Sequence, residues 1–111
     1  MNSEFVIKTT GSFDKSVKKL LKKYPSFVQD LKQLRTVLLK NPVSGISLGN
    51  DCYKLRLRIS SKNTGKSGGA RVITYVKIEK KQITLLDIYD KADKDSISEK
   101  ELAALIKKAE S

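Results

Sequence analysis

The sequence has no histidine, no tryptophan and a single cysteine, Cys52, in 111 residues. Histidine is the commonest general base and a common metal ligand, so its absence argues against a zinc site and against histidine-based catalysis. The few acidic residues do not cluster as a two-metal nuclease site requires. Proton transfer by this chain would therefore fall to lysine, tyrosine, aspartate or glutamate, with neither a metal nor another cofactor expected.

Long apolar runs are also missing. No stretch of 18 apolar residues occurs, and the N-terminus lacks the pattern of a signal peptide. One cysteine cannot form an intrachain disulfide, which fits a reducing compartment. We therefore expect a cytoplasmic protein without a membrane span. Its length and its content of 39% hydrophobic and 32% charged residues fit one globular domain over residues 1–111.

Negative charge is scarce relative to positive charge. The chain carries 23 lysines and arginines against 12 acids, a net charge of +11. Residues 1–50 hold nine basic against three acidic side chains, residues 51–91 ten against four, and residues 92–111 four against five. The excess thus belongs to the body of the chain, and it predicts a polyanionic partner such as nucleic acid.

One stretch concentrates this charge. Over residues 53–59 the side chains alternate, so that an apolar face opposes a face formed by Lys54, Arg56 and Arg58. A loop rich in glycine and serine follows, adding Lys62 and Lys66. The next strand opens with Arg71, and no acid interrupts the series. A solvated strand beside a basic loop would give the same pattern, but three like charges on one face favour anion binding.

The remaining pattern predicts an α+β fold. A strand is predicted over residues 4–9. Two amphipathic helices are predicted over residues 12–41, with Ser12 as a possible cap of the first. Residues 42–52 are predicted to form a loop. Strands follow at 53–59, 70–79 and 82–89, and Ser98 with Glu101 forms a capping box before a short last helix. The predicted order is β-α-α-β-β-β-α, with a mainly antiparallel four-stranded sheet, two N-terminal helices packed on one face and a short C-terminal helix.

The end of the last strand supplies two further candidates. Alternation places Leu86 and Ile88 on one face and Leu85, Asp87 and Tyr89 on the other. Tyr89 could stack on a base or transfer a proton, or else it is a half-buried core residue. Lys91 could neutralise a reacting oxygen, or else it is an ordinary surface lysine.

These segments carry a family resemblance. Residues 53–58, the basic loop, residues 68–75 and residues 88–91 together resemble the RelE/ParE superfamily of bacterial toxins, and Gly-Lys-Ser-Gly-Gly-Ala-Arg-Val-Ile-Thr-Tyr over residues 65–75 is most similar to the HigB-like branch. The resemblance implies a toxin of a type II toxin–antitoxin system that cleaves mRNA in the ribosomal A site. The implied partners are a cognate antitoxin, mRNA and the 30S subunit with its 16S rRNA.

The resemblance also implies roles for particular residues. Lys54 and Arg56 match paired basic positions of the family's second strand, Arg71 matches its third-strand arginine, and Lys91 falls where RelE carries an arginine. RelE's catalytic tyrosine lies farther on, and residues 92–111 contain no tyrosine, so Tyr89 is a spatial candidate only. The implied catalytic set is Lys54, Arg56, Arg71, Lys91 and Tyr89, with Arg58, Lys62 and Lys66 binding RNA.

A chemical mechanism fits this set. Neighbouring cations favour the neutral form of an amine, so Lys54 or Lys91 could deprotonate the 2′-hydroxyl of RNA. Arg56 and Arg71 would hold the scissile phosphate and its developing charge. A ParE-like inhibitor of DNA gyrase and a non-catalytic RNA-binding module remain alternatives.

Overall fold

A computed structural model of the chain describes residues 5–62 and 68–110. Its regular elements follow one another in the order β1 (Val6–Thr9), α1 (Gly11–Lys23), α2 (Phe27–Lys40), β2 (Ile46–Gly49), β3 (Cys52–Leu57), β4 (Ala70–Lys77), β5 (Gln82–Asp90) and α3 (Glu99–Ala109). The predicted α+β class is confirmed. Within the described ranges, none of the helices combines the length and the apolar character that crossing a membrane would need.

The sheet has five strands, where the sequence predicts four. Their order is β1-β5-β4-β3-β2, with β1 parallel to β5 and all other pairs antiparallel. The additional strand, β2, lies in the stretch predicted as a loop, and it pairs Ile46 with Lys54. This strand is short, and all of its residues except Leu48 are exposed, including Ile46 at 67%. It therefore shows no alternation of buried and exposed positions. Pairing with β3 defines this strand, and local sequence gives no signal for it.

Both faces of the sheet are covered. The amphipathic helices α1 and α2 pack on one face, burying Phe13, Leu20, Phe27, Leu34 and Leu38 against alternate residues of the strands. Helix α3 covers part of the other face, where Leu102 packs with Ile73 and Leu86. The two N-terminal helices thus pack on one face, as predicted, and the short C-terminal helix α3 lies on the other. Strand β4 is buried on both sides from Ala70 to Val76, as its central position requires.

Strand β5 contains a bulge that the alternation did not predict. Ile73 pairs with Asp87 and Thr74 with Leu85, so Leu86 has no partner on β4. The extra residue reverses the alternation. Leu85 joins Ile88 in the core under α1 and α2, and Leu86 joins Tyr89 on the α3 side. The predicted grouping of Leu86 with Ile88 is wrong for this reason.

Side-chain hydrogen bonds cap the N-terminal ends of α1 and α3. Thr10, rather than the expected Ser12, caps α1 by accepting a hydrogen bond from the Phe13 amide over 3.1 Å. Helix α3 begins with the predicted capping box, since Ser98 and Glu101 exchange hydrogen bonds of 3.0 and 3.1 Å. Lys94 also donates to Glu101, and this bond lowers the pKa of the Glu101 carboxyl.

Candidate active site

Four of the predicted cations meet in one cleft of about 270 Å³ on the α3 side of the sheet. Strand β3 contributes Lys54 and Arg56, β4 contributes Arg71, and Lys91 follows directly after β5. We call this cavity the basic cleft; the rest of its lining is Ile46, Leu55, Asp95 and Ser96. Residues separated by up to 37 positions in the chain thus reach one place because β3, β4 and β5 are neighbours.

Arg56 and Arg71 stand directly opposite each other on the antiparallel pair β3 and β4. Arg71 also pairs with Tyr89 on β5, which places the three side chains in one row across the sheet. Arg56 is exposed, whereas Arg71 is only 4% exposed and donates to the Ala70 carbonyl over 3.2 Å. Like charges directly opposite each other on adjacent strands are destabilising, by roughly 0.2–1 kcal/mol on the usual scale of such pairs. An anion bound between the two guanidiniums would remove that cost.

Tyr89 lies at the end of this row and is 8% exposed. Its hydroxyl is buried and has no hydrogen-bond partner among the residues that the structure describes. The Lys94 ammonium lies 5.3 Å from the centre of its ring. Burial raises the pKa of the Tyr89 phenol, although the charges of Lys94 and Arg71 oppose the shift. The phenol therefore keeps its proton at neutral pH, and it is better suited to donate a hydrogen bond than to act as a base.

Lys62, predicted to bind RNA, lies away from the basic cleft in an ion pair. Its ammonium is 3.1 Å from the Asp90 carboxylate, and Asp90 also accepts hydrogen bonds from the Tyr24 hydroxyl and the Ala92 amide. Burial opposes the ionisation of Asp90, but these three donors outweigh it, so the pKa of Asp90 is lowered. The hydrogen bond with Asp90 raises the pKa of Lys62 in turn. This cluster joins α1, the segment after β3 and the end of β5.

Two glycines allow close approaches that position the cleft. Gly69 has φ of +94°, and a Cβ there would lie 2.9 Å from the Leu57 carbonyl oxygen. Its own carbonyl accepts a hydrogen bond from the Lys91 amide over 3.0 Å, which fixes the backbone of Lys91 beside β4. Gly45 has φ of +100°, and a Cβ there would lie 2.4 Å from the Lys54 carbonyl oxygen. Larger side chains at either position would displace β3.

The chain is similar to known proteins. A family model described as the RelE toxin of the RelE/RelB toxin–antitoxin system matches residues 28–111. The chain belongs to the RelE toxin family.

Among solved structures, this RelE-type toxin is similar to a double arginine-to-alanine mutant of the E. coli toxin RelE in the free state. The similarity has a TM-score of 0.54 at 17% sequence identity, and it covers 95% of this chain and 93% of the E. coli chain. That likeness supports the same fold. Neither comparison distinguishes the HigB-like branch, which stays a prediction.

The structure describes one of the two remaining predicted RNA-binding residues of this RelE-type toxin. Arg58 follows the end of β3, is exposed and does not line the basic cleft. Lys66 lies outside the described residues. Over residues 5–62 and 68–110, no group of three or more cysteines, aspartates and glutamates is placed to hold a metal ion.

Sequence reasoning missed part of the lining. Ile46 belongs to the unpredicted strand β2, and Asp95 with Ser96 lies in the segment that precedes α3. Asp95 is the only carboxylate in the described lining of the basic cleft. The sequence shows that Asp95 lies close to Lys91 along the chain. No local pattern, however, indicates that the segment containing Asp95 folds back over β3 and β4.

Proposed function

We propose that this toxin is an endoribonuclease that cleaves mRNA in the A site of the ribosome, with the basic cleft as its catalytic site. The observation that carries the proposal is the opposition of Arg56 and Arg71 within a cleft that also contains Lys54 and Lys91. Such a pair of guanidiniums matches the two non-bridging oxygens of a phosphodiester, each of which can accept charge-assisted hydrogen bonds.

The proposed reaction is transfer of the phosphoryl group within the RNA. The 2′-oxygen forms a bond to phosphorus, and the bond from phosphorus to the 5′-oxygen breaks. The amine of Lys54 or Lys91 accepts the proton of the 2′-hydroxyl, and a protonated group supplies a proton to the leaving 5′-oxygen. Arg56 and Arg71 hold the phosphate and the additional negative charge of the transition state. The products are a 2′,3′-cyclic phosphate, which water can open to a 3′-phosphate, and a 5′-hydroxyl.

Tyr89 has a supporting part in this proposal. Its raised pKa disfavours the phenolate, so the base is one of the two lysines. The phenol lies next to Arg71 in the register of the sheet, but its hydroxyl is buried and Tyr89 does not line the basic cleft, so its part is to pack beside Arg71. Lys62 has no direct part, because Asp90 neutralises it.

The composition of the basic cleft supports dependence on the ribosome. Its described lining contains four cations, two aliphatic side chains, Asp95 and Ser96, but no aromatic side chain. Proteins that orient single-stranded RNA by themselves commonly stack the bases on aromatic side chains. Here the cleft can hold a phosphate without fixing the bases, and the ribosome would supply their orientation. This substrate implies action in the cytoplasm, and the family implies a cognate antitoxin that blocks the activity.

Primer extension on an mRNA tests the proposal. The purified toxin is incubated with that mRNA, with and without translating ribosomes, and the new 5′ ends are mapped. We expect cuts in the A-site codon only when ribosomes are present. The double variant Lys54→Ala/Arg56→Ala should lose the cuts, and the matched control Lys22→Ala/Arg35→Ala should keep them, because those side chains are exposed on α1 and α2.

Other outcomes would favour the alternatives. Inhibition of DNA gyrase without any RNA cleavage would identify a ParE-like toxin. RNA binding without cleavage, in the presence of active ribosomes, would identify a non-catalytic RNA-binding module. Either result would contradict the proposed nuclease.

A further inference from the structure

A second cationic cavity lies at the other end of β4. It has a volume of about 820 Å³ and is bordered by the end of β4, the start of β5, the junction between β1 and α1, and the end of α3. Arg71 lies at one end of β4 and Lys77 at the other. Six residue steps along an extended strand separate them by about 20 Å, so this cavity is distinct from the basic cleft.

Five lysines from separate parts of the fold line this cavity, which we call the lysine groove: Lys8, Lys15, Lys77, Lys80 and Lys108. Lys77 lies 3.7 Å from the Asp51 carboxylate. The other four form no ion pair within residues 5–62 and 68–110. The one acid in the described lining, Glu110, accepts a hydrogen bond from the Tyr75 hydroxyl. The lysine groove is thus strongly cationic, with five lysines against the single carboxylate of Glu110 in its described lining.

The rest of the lining favours a solvated polyanion. It consists mainly of hydroxyl groups and backbone, including Thr9, Ser12 and Thr84, and its one aromatic residue, Tyr75, is only 8% exposed. A protein segment that binds tightly usually buries apolar anchors, and the described lining offers no pocket for them. A phosphate backbone needs only cations and hydrogen-bond donors, and flexible lysines suit its variable geometry. The first turn of α1 adds the positive end of its dipole.

We infer that the lysine groove binds the phosphate backbone of RNA at a second contact, away from the scissile phosphate. This inference rests on the proposed function, because it assumes that RNA reaches the basic cleft. The two sites are separated by more than twice the screening length of about 8 Å at physiological salt. Each therefore contributes its own phosphate contacts, and the lysine groove strengthens binding without taking part in the reaction.

RNA binding at varied salt concentration tests the inference. The variant Lys8→Gln/Lys80→Gln/Lys108→Gln removes three exposed charges from the lysine groove, and the control Lys22→Gln/Lys32→Gln/Lys40→Gln removes three exposed charges from α1 and α2. Fluorescence anisotropy then measures the affinity for a short single-stranded RNA and for a short RNA duplex. Melting curves confirm that both variants are folded.

We expect the magnitude of the slope of log K against log salt to fall by about 2–3 for the groove variant, since each of the three phosphate contacts contributes roughly 0.7–0.9. The control should change the slope by less than half as much. A loss confined to the duplex would identify structured RNA as the ligand, and a loss confined to the single strand would identify the message; both support the inference. In ribosome-dependent cleavage, the groove variant should raise KM without lowering kcat.

Equal slopes for the groove and control variants would overturn the inference. So would unchanged RNA binding together with weakened binding of the antitoxin, which would make the lysine groove a protein interface. Neither result depends on cleavage. If the wild-type toxin still cuts mRNA in these cases, the proposed function stands and only the second contact is lost.

Discussion

Replacing Arg56 by alanine should separate activity from stability. Arg56 is exposed on β3 and faces the buried Arg71 across the strand pair, so its removal opens no cavity and relieves a like-charge contact. Relief of such a pair contributes roughly 0.2–1 kcal/mol, and the lower strand propensity of alanine offsets part of it. We therefore expect the free energy of unfolding to stay within about 1 kcal/mol of the wild-type value.

The effect of Arg56→Ala on cleavage should be much larger. Loss of one charged contact to the transition state typically costs about 2.7–4 kcal/mol, which corresponds to a factor of roughly 10²–10³ in rate. The measurement is single-turnover cleavage of mRNA on programmed ribosomes, with thermal denaturation of the same preparation. Arg35→Ala is the matched control, because Arg35 is an exposed arginine of α2 and lies outside the basic cleft.

The conservative variant Arg71→Lys completes this series. It keeps the charge opposite Arg56 but loses the planar fork of the guanidinium, so activity should fall while the fold is retained. Cleavage by a folded Arg56→Ala variant within about threefold of the wild-type rate would refute the reasoning, since it would mean that less than 1 kcal/mol of transition-state stabilisation comes from this side chain.

Three further predictions concern residues outside the basic cleft that hold the surrounding fold in place. Gly45→Ala should destabilise the fold by about 1–3 kcal/mol and lower the cleavage rate, because its Cβ would meet the Lys54 carbonyl oxygen at 2.4 Å; denaturant unfolding and cleavage assays check this. Leu102→Ala should cost about 2–5 kcal/mol, since Leu102 is the one buried residue of α3, and hydrogen exchange should show α3 opening first. Asp90→Asn should weaken the contact with Lys62. Because folding lowers the pKa of Asp90, the advantage of the wild type should be constant above about pH 5 and shrink as pH falls below about 4, which melting curves across that range would reveal.

Local pattern was sufficient for the elements that bury one face. The alternation that ends at Ile59 predicted the basic side of β3, and the structure buries Leu55, Leu57 and Ile59 while leaving Arg56 and Arg58 exposed. The spacing of apolar residues likewise predicted α1 and α2. In these segments the periodic placement of apolar side chains itself decides which face is buried.

Features that depend on distant partners were not predictable in this way. Lys54 and Lys62 belong to the same basic stretch, but only Lys62 meets a buried carboxylate, and that residue, Asp90, lies 28 positions farther along the chain. The bulge at Leu86 and the strand β2 also depend on their neighbours in the sheet. The sequence indicated the cations only as a group, and the fold determined which of the described ones line the basic cleft.

Chemical analysis of the cleavage products tests the central claim most directly. Programmed ribosomes carry an mRNA in which the nucleotide 5′ of the scissile phosphate has either its normal 2′-hydroxyl or a hydrogen. With the normal RNA we expect a 2′,3′-cyclic or 3′-phosphate and a 5′-hydroxyl. With the deoxy-substituted RNA we expect nearly unchanged binding and no cleavage, because binding rests on phosphates and the reaction needs the 2′-oxygen. Cleavage of the deoxy-substituted RNA, or a product with a 5′-phosphate, would contradict the proposed mechanism of the basic cleft.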